Sequence, residues 1–185
     1  MEDDKRRRIL SAALEVFFKY GYKRVSMNEI AEAAGISRPG LYLHFKSKEE
    51  VFRAAILQYS DGAIKEILEG INSRKTIEDK VLYAFEVWAV QRFDLTLKSP
   101  EAKEISDSSY EFAREALEES YEKLESILAP ILKGHVKFSG NKKAPSSEKL
   151  AHILTSSVRG FKLVAKSATE LRKLIQDLLG IVLAA

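Results

Sequence analysis

The chain has 185 residues, with 30 Lys or Arg, 27 Asp or Glu, and no Cys. A chain without cysteine has no disulfide framework, thiolate metal site or cysteine nucleophile. It contains no apolar run of the roughly 18 residues that a membrane span needs, and no apolar stretch typical of a secretory signal follows its basic N-terminus. We therefore expect a soluble, cytoplasmic protein without a membrane partner.

The net charge of +3 conceals an uneven distribution of charge along the chain. Residues 5–48 hold ten Lys or Arg and three Glu, a balance of +7, whereas residues 49–185 are close to neutral. A basic quarter followed by a neutral remainder is typical of a polyanion-binding head attached to a body with another role.

Apolar residues recur at helical spacing nearly throughout the chain, and strand signals are weak. The first helix is predicted to end at Gly21. Ser26 and Glu29 have the spacing of a capping box that opens a second helix, and Gly35 ends it. Ser37 can then cap a third, short helix. Two helices joined by a short turn that contains Gly indicate a helix-turn-helix, whose second helix fits the major groove of DNA.

Helical spacing continues through the body of the chain. Further helix starts are predicted at Ser47, Thr76, Ser99 and Ser167. Residues 133–146 are rich in Gly, Lys and Pro, which predicts a loop. The predicted fold class is all-α with about nine helices. It comprises a helix-turn-helix DNA-binding domain over residues 1–48 and a C-terminal helical bundle for ligand binding and dimerisation over residues 49–185.

Residues 9–51 have the sequence ILSAALEVFFKYGYKRVSMNEIAEAAGISRPGLYLHFKSKEEV. The informative parts are the Ala-Ala…Phe…Gly-Tyr pattern of the first helix, the run from Ser26 to Ser37, and Leu41-Tyr42-x-His44-Phe45 followed by Ser47-Lys48-Glu49. On these residues the stretch closely resembles the TetR/AcrR family of transcriptional repressors. The resemblance covers about a quarter of the chain, and beyond it only helix number, length and order are similar to the family.

The resemblance implies a role for each matching residue of the head. The helix that starts at Arg38 corresponds to the recognition helix. Tyr42 matches a position that meets a phosphate or a thymine methyl group, and His44 and Lys48 match positions that touch phosphates. The implied DNA-contact residues are Ser26, Asn28, Ser37, Arg38, Pro39, Gly40, Tyr42, His44 and Lys48.

Base recognition is expected from Arg38, because an Arg side chain can bind O6 and N7 of guanine together. The sequence departs from the family at Pro39-Gly40, where many members have Gly followed by Thr or Ser, so a hydroxyl contact is missing. The run Lys5-Arg6-Arg7-Arg8 is either a solvated helix start or a source of further phosphate contacts. The basic surroundings favour the phosphate contacts, which add salt dependence without sequence preference.

A homodimer is expected because helix-turn-helix proteins bind palindromic DNA as two-fold dimers. The last two helices, residues 148–166 and 168–184, are predicted to form a four-helix interface with a second copy. The alternative is that their apolar residues belong to the core of one chain. The predicted interface residues are Leu150, Leu154, Val158, Phe161, Leu171, Leu174, Ile175, Leu178 and Val182.

Aromatic side chains in the body, accompanied by a few polar groups, predict a pocket for a small, partly apolar effector. Ordinary core packing is the alternative interpretation. The candidate ligand-binding residues are Phe85, Trp88, Arg92, Tyr110, Phe112, His152 and Thr155. An effector that binds better to the form with displaced heads must weaken DNA binding by the same factor.

An enzyme is not expected. The three His have no metal-ligand spacing, and the chain has no Gly-rich phosphate loop and no GxSxG motif, so neither a metal nor a cofactor is predicted. The sequence predicts a transcriptional repressor that binds palindromic double-stranded DNA and is released by a small molecule. The alternatives are a DNA-binding protein without an effector, acting in DNA organisation or through a protein partner, and a helical enzyme or carrier with a vestigial head.

Overall fold

The computed structural model describes residues 2–91, 93–98, 111–133 and 145–183, and all regular secondary structure within these ranges is helical. The helices are α1 (Glu2–Tyr20), α2 (Met27–Ala33), α3 (Arg38–Tyr42), α4 (Lys48–Ile71), α5 (Ile77–Phe85), α6 (Phe93–Lys98), α7 (Glu111–Leu132), α8 (Ser147–Val164) and α9 (Ala168–Leu183). Residues Glu86–Val90 continue α5 as a π-helical segment. The predicted all-α fold class is confirmed. The predicted helix start at Ser99 and residues 134–144 of the predicted loop lie outside the described residues.

The chain divides into two compact units. The first contains residues 1–62 and 95–120, and the second contains residues 63–94 and 121–185. Helices α4 and α7 each contribute to both units. This division follows packing, and the functional boundary after residue 48 remains a prediction.

The first unit is built on an aromatic core. The rings of Phe17 and Phe52 meet edge to face at 4.9 Å, and Tyr22 meets Phe52 at 5.0 Å. Ile30 of α2 and Leu41 of α3 are fully buried in the same core. Burial of such side chains is worth about 1.5–3 kcal/mol each, and it anchors both short helices on α1 and α4.

The second unit has its own core, to which several helices each contribute a fully buried side chain. Phe85, Leu128, Leu154 and Ile175 come from α5, α7, α8 and α9 respectively. At its edge Arg172 of α9 donates two hydrogen bonds to Glu86, one of them from Nε at 2.8 Å. This bidentate pair fastens α9 to the start of the π-helical segment and raises the pKa of Arg172.

The starts of α4 and α9 share one capping pattern. The Glu50 carboxylate accepts the N–H of Lys46 at 2.7 Å, and the Glu170 carboxylate accepts the N–H of Lys166 at 2.8 Å. Each carboxylate therefore reaches the residue before the N-cap serine, whereas a capping box predicts the serine N–H as the donor. None of the described helices is both long enough and apolar enough to cross a membrane.

Candidate nucleic-acid interface

The helix-turn-helix opens with a complete cap on α2. The Glu29 N–H donates to the Ser26 hydroxyl at 3.3 Å, and the Glu29 carboxylate accepts the Ser26 N–H at 2.7 Å. Hydrogen bonding from the Ser26 side chain is the largest cause that lowers the pKa of Glu29. The predicted capping box is confirmed, and it leaves Ser26 and Asn28 exposed at the start of α2.

The turn after α2 depends on a left-handed glycine. Gly35 has φ of 66°, a conformation that costs side-chain-bearing residues free energy. The Gly35 N–H donates to the Glu32 carbonyl and the Ile36 N–H donates to the Ala31 carbonyl, both at 3.0 Å. These two bonds are those of a Schellman motif, and they redirect the chain into α3 within two residues.

The start of α3 is capped by Ser37, whose hydroxyl accepts the Gly40 N–H at 3.2 Å. A Cβ atom on residue 40 would lie 3.1 Å from this hydroxyl oxygen. Gly40 therefore has a local role in the cap, in addition to the DNA contact that the family resemblance implies for it. Pro39 lies in the first turn, where the missing N–H has no intrahelical partner.

The outer face of α3 presents the side chains that the sequence predicts for DNA contact. Arg38 is exposed, with its guanidinium carbon 5.7 Å from the centre of the Tyr42 ring, and Tyr42 is 44% exposed. His44 is half-buried. Leu43 is 85% exposed beside Tyr42, and sequence reasoning missed it. Its neighbour Leu41 fills the core position, and that placement could have indicated that Leu43 faces outward.

The side chain of Lys48 binds backbone carbonyl groups of the loop between α1 and α2. Its ammonium group donates to the carbonyl oxygens of Tyr22 at 2.9 Å and Val25 at 2.8 Å. It also lies 4.3 Å from the centre of the Tyr22 ring. The Tyr22 hydroxyl in turn donates to Glu49 at 2.8 Å. Hydrogen bonds from the Glu49 backbone N–H and then from this hydroxyl lower the pKa of Glu49.

The basic run at the start of α1 contains side chains in two environments. Arg6 is half-buried: it donates to the His44 carbonyl at 3.2 Å, and its guanidinium carbon lies 4.3 Å from the centre of the Phe45 ring. Lys5, Arg7 and Arg8 are exposed. A surface groove of about 300 Å³ adjoins this run, and its lining residues are Asp4, Lys5, Arg8, Ile9, Ala34 and Ile36.

The polar candidates for effector binding are paired with one carboxylate of α7. His152 is exposed, and its Nδ1 lies 3.1 Å from Glu125 Oε1. Thr155 is buried, and its hydroxyl donates to the same oxygen. These contacts bring His152 and Thr155 together.

The aromatic candidates for effector binding are placed differently from one another. Phe85 is fully buried in the core of the second unit. Trp88 is partly buried, its ring meets that of Tyr121 at 5.5 Å, and Arg159 lies 4.5 Å over the same Tyr121 ring. The candidates Arg92 and Tyr110, and the side chain of Phe112, lie outside the described residues.

Most of the predicted dimer residues are core residues of one chain. The buried ones, 0–3% exposed, are Leu150, Leu154, Val158, Leu171 and Ile175. The partly buried ones are Phe161, Leu174, Leu178 and Val182. Other apolar side chains of these two helices form an exposed stripe: Ile153, Leu163 and Val164 of α8 are 39%, 72% and 65% exposed, and Ile181 of α9 is 79% exposed. The amphipathic pattern identified the inward face of α8 and α9, because a core and an interface both select apolar residues.

Within the described ranges, no group of three or more His, Cys, Asp or Glu side chains could hold a metal ion. The exposed side chains of the first unit include basic groups and hydroxyl groups around the short helix α3. Such groups recognise phosphate oxygens and base edges.

Comparison with known proteins agrees with this geometry. The family model of bacterial regulatory proteins of the tetR family matches residues 9–55. Over 86 residues the chain is 34% identical to the HTH-type transcriptional activator FasR of Mycolicibacterium smegmatis, a match that covers 46% of this chain and 39% of FasR. The chain thus spans about two fifths of the length of that relative.

Solved structures share the fold over nearly the whole chain. A crystal structure from Rhodococcus sp., described as a TetR-family transcriptional regulator, superposes with a TM-score of 0.77 at 21% identity and covers 98% of this chain and 99% of its own. The regulator FadR of Bacillus subtilis, solved in complex with stearoyl-CoA, gives 0.68 at 19% identity and covers 96% and 97%. The match over residues 9–55, together with this shared fold, supports a relationship of the chain to the TetR/AcrR family of transcriptional regulators.

Proposed function

We propose that the chain is a transcriptional repressor that binds a palindromic DNA operator as a homodimer and releases it when a small molecule binds. The proposal rests on the outer face of α3, where Arg38, Tyr42 and Leu43 are exposed, and on the net charge of +7 over residues 5–48. A helix-turn-helix reads sequence with such a face in the major groove.

The contacts divide into two kinds. Arg38 reads a guanine through two hydrogen bonds, and the apolar surfaces of Tyr42 and Leu43 contact thymine methyl groups. Ser26 and Asn28 at the exposed start of α2, and His44 after α3, bind phosphate oxygens, and these contacts fix the register without reading sequence. Ser37, Pro39 and Gly40 shape the start of α3 at the DNA surface.

A library selection tests this function. Random double-stranded DNA is bound to the full chain, and the enriched fragments are sequenced over several rounds. The expected winner is a palindrome with an affinity roughly 10³-fold or more above that for bulk DNA, as is typical of specific regulators. Enrichment of no sequence would reject the proposed function.

The dimer interface is the exposed apolar stripe of α8 and α9. Ile153, Gly160 and Val164 follow one another at helical spacing on α8, and Ile181 follows Gly180 on α9. Both glycines face open space, with no atom within 4 Å of an added Cβ. Glycine inside a helix costs about 1 kcal/mol relative to alanine. A dimer in which the helices of the second copy cross closely at Gly160 and Gly180 would explain why glycine occupies these positions.

Sedimentation of an Ile181→Glu variant tests the interface. A carboxylate buried at this position would lose its hydration, so the variant is expected to be monomeric and to bind a half-site only weakly. Leu68→Glu is the matched control, because Leu68 is 51% exposed and belongs to α4, outside the two helices of the proposed interface. A dimeric Ile181→Glu variant would reject this interface.

The proposed effector site contains the rings of Trp88 and Tyr121 and the guanidinium group of Arg159. It also contains His152 and Thr155, which both contact the Glu125 carboxylate. This combination of rings and a few polar groups suits a small, partly apolar molecule. The stearoyl-CoA in the FadR structure makes that compound the first probe of the selected protein–DNA complex. Release of DNA by the probe or by another compound of a small-molecule library supports the effector.

A second candidate function is a DNA-binding protein that has no effector. The pairing of His152 and Thr155 with Glu125, and of Arg159 with Tyr121, favours it, because these polar groups already satisfy one another. Retention of DNA in the presence of every compound would select this candidate.

A further inference from the structure

The recognition helix is too short to maintain its own orientation. α3 has five residues, of which Leu41 is the buried one. Isolated helices of fewer than about 12–15 residues are marginal in water. The position of α3 against DNA therefore depends on side chains that reach it, or the segments next to it, from α1 and α4.

On the α4 side, the Lys48 ammonium ties α4 to the loop between α1 and α2. Its two bonds to the carbonyls of Tyr22 and Val25 use two of the three N–H donors that an ammonium group has. The loop leads directly into Ser26, the N-cap of α2. Because α2 packs against α3, this bond fixes the platform on which α3 rests.

On the α1 side, the Arg6 guanidinium ties α1 to the segment that leaves α3. It donates to the His44 carbonyl and covers the ring of Phe45, and Phe45 is itself buried, with 1% of its surface exposed. Arg6 is half-buried, whereas its neighbours Lys5, Arg7 and Arg8 are exposed. Its guanidinium group therefore contacts the protein and is partly shielded from solvent.

On the basis of the proposed function, we propose that Arg6 and Lys48 are positioning residues of the recognition helix and not phosphate ligands. Lys48 holds the loop before α2, and Arg6 holds the residues that follow α3. Together they fix the orientation of α3 and thereby set the preference for the operator over other DNA. This assignment differs from the phosphate contact that family resemblance implies for Lys48.

The salt dependence of DNA binding separates the two roles. DNA affinity falls as the salt concentration rises, and each phosphate contact adds about 0.9 to the magnitude of the slope of log affinity against log salt concentration. A residue that contacts phosphate in both half-sites therefore contributes about 2 to that magnitude. For Arg6→Gln and Lys48→Gln we expect the wild-type slope, with the ratio of operator affinity to random-sequence affinity lowered about tenfold or more. Slopes lowered by about 2 with an unchanged ratio would overturn the proposal.

The matched control for loss of a cation is Arg8→Gln, which removes an exposed charge two residues from Arg6. Because Arg8 belongs to the basic run that is expected to contact phosphates, this variant is expected to lower the salt dependence of binding while it keeps the wild-type ratio of operator affinity to random-sequence affinity. The conservative variant Lys48→Arg retains donors for both carbonyls and is expected to restore most of the preference that Lys48→Gln loses. Equal losses in Lys48→Arg and Lys48→Gln would contradict a hydrogen-bonding role.

Hydrogen exchange on the DNA-free protein tests the assignment independently of the proposed function. We expect the amide protons of Leu43 and Phe45 to exchange faster in both Gln variants, while those of α9 keep their wild-type rates. Unchanged rates around α3 would overturn the positioning role, and so would equally faster exchange throughout both units. A wild-type protein that selects no DNA sequence would reject the proposed function and leave this exchange test valid.

Discussion

Two glycines of α4 are expected to respond in opposite directions to the same substitution. At Gly62 no atom lies within 4 Å of an added Cβ. At Gly70 the added Cβ would collide with the hydroxyl of Tyr83 and would lie 2.5 Å from its Cζ and 2.7 Å from its Cε1. Neither glycine has a positive φ, so alanine is compatible with the backbone at both positions.

The expected magnitudes follow from these distances. Gly62→Ala should stabilise the chain by about 0.5–1 kcal/mol, because alanine loses less backbone entropy in a helix. Gly70→Ala gains at most that amount near the helix end, but it displaces the Tyr83 ring, at an overpacking cost of about 1–3 kcal/mol. It also breaks the hydrogen bond from the Tyr83 hydroxyl to the Glu66 carbonyl, 3.3 Å long. The net expectation is destabilisation by about 1–2 kcal/mol.

Urea unfolding of the two variants measures both effects under identical conditions. In a Tyr83→Ala background the collision is absent, so Gly70→Ala should become neutral or stabilising. A Gly70→Ala variant as stable as Gly62→Ala would refute the packing of Tyr83 on α4 described above.

Three further predictions concern stability. Glu29→Gln should destabilise the protein at neutral pH, because the pKa of Glu29 is lowered in the folded state and the charged carboxylate therefore stabilises the fold. The difference in the free energy of unfolding between wild type and variant should shrink as the pH falls below 4.5, the ordinary pKa of a glutamate, since protonation removes the charge. Equal differences at pH 7 and pH 3 in urea unfolding would contradict this. Arg172→Gln should cost about 0.5–1 kcal/mol, since the pair with Glu86 is partly exposed and screened by water, and the thermal midpoint should fall less in 1 M salt than in 0.1 M salt. Ser120→Ala should lower the free energy of unfolding by about 1 kcal/mol, because it removes the buried hydrogen bonds of the Ser120 hydroxyl to Ser60 and to the backbone. An unchanged thermal midpoint would count against these hydrogen bonds.

The local features of the head could be predicted because each depends on residues within a few positions of one another. The Ser26 cap, the left-handed Gly35 and the Ser37 cap use contacts three to five residues apart. A pattern of residue types at such spacing determines the hydrogen bonds, so the sequence identifies the two helices and the turn between them.

The long-range contacts of the head could not be predicted in this way. Arg6 meets His44 across 38 residues, and Lys48 meets Val25 across 23. A basic residue near a DNA-binding helix suits a phosphate contact and an internal hydrogen bond equally well by residue type. Only the packed structure shows which carbonyl oxygens lie within reach.

The body illustrates a different ambiguity. Leu154 and Ile175 are fully buried in the chain's own core, whereas Val164 and Ile181 on the same two helices are exposed. Both sets are apolar at helical spacing, so periodicity finds the helices without separating the face toward the core from the face toward a partner.

If α3 reads base pairs through Arg38, the wild type and Arg38→Ala should select different DNA sequences. Both proteins are taken through the same random-DNA selection at the same salt concentration. We expect a palindrome for the wild type and loss of preference at one symmetric pair of base positions for Arg38→Ala, at a cost of about 1–3 kcal/mol for each contact. Identical selected sequences for the two proteins would contradict the claim that Arg38 on α3 reads the operator.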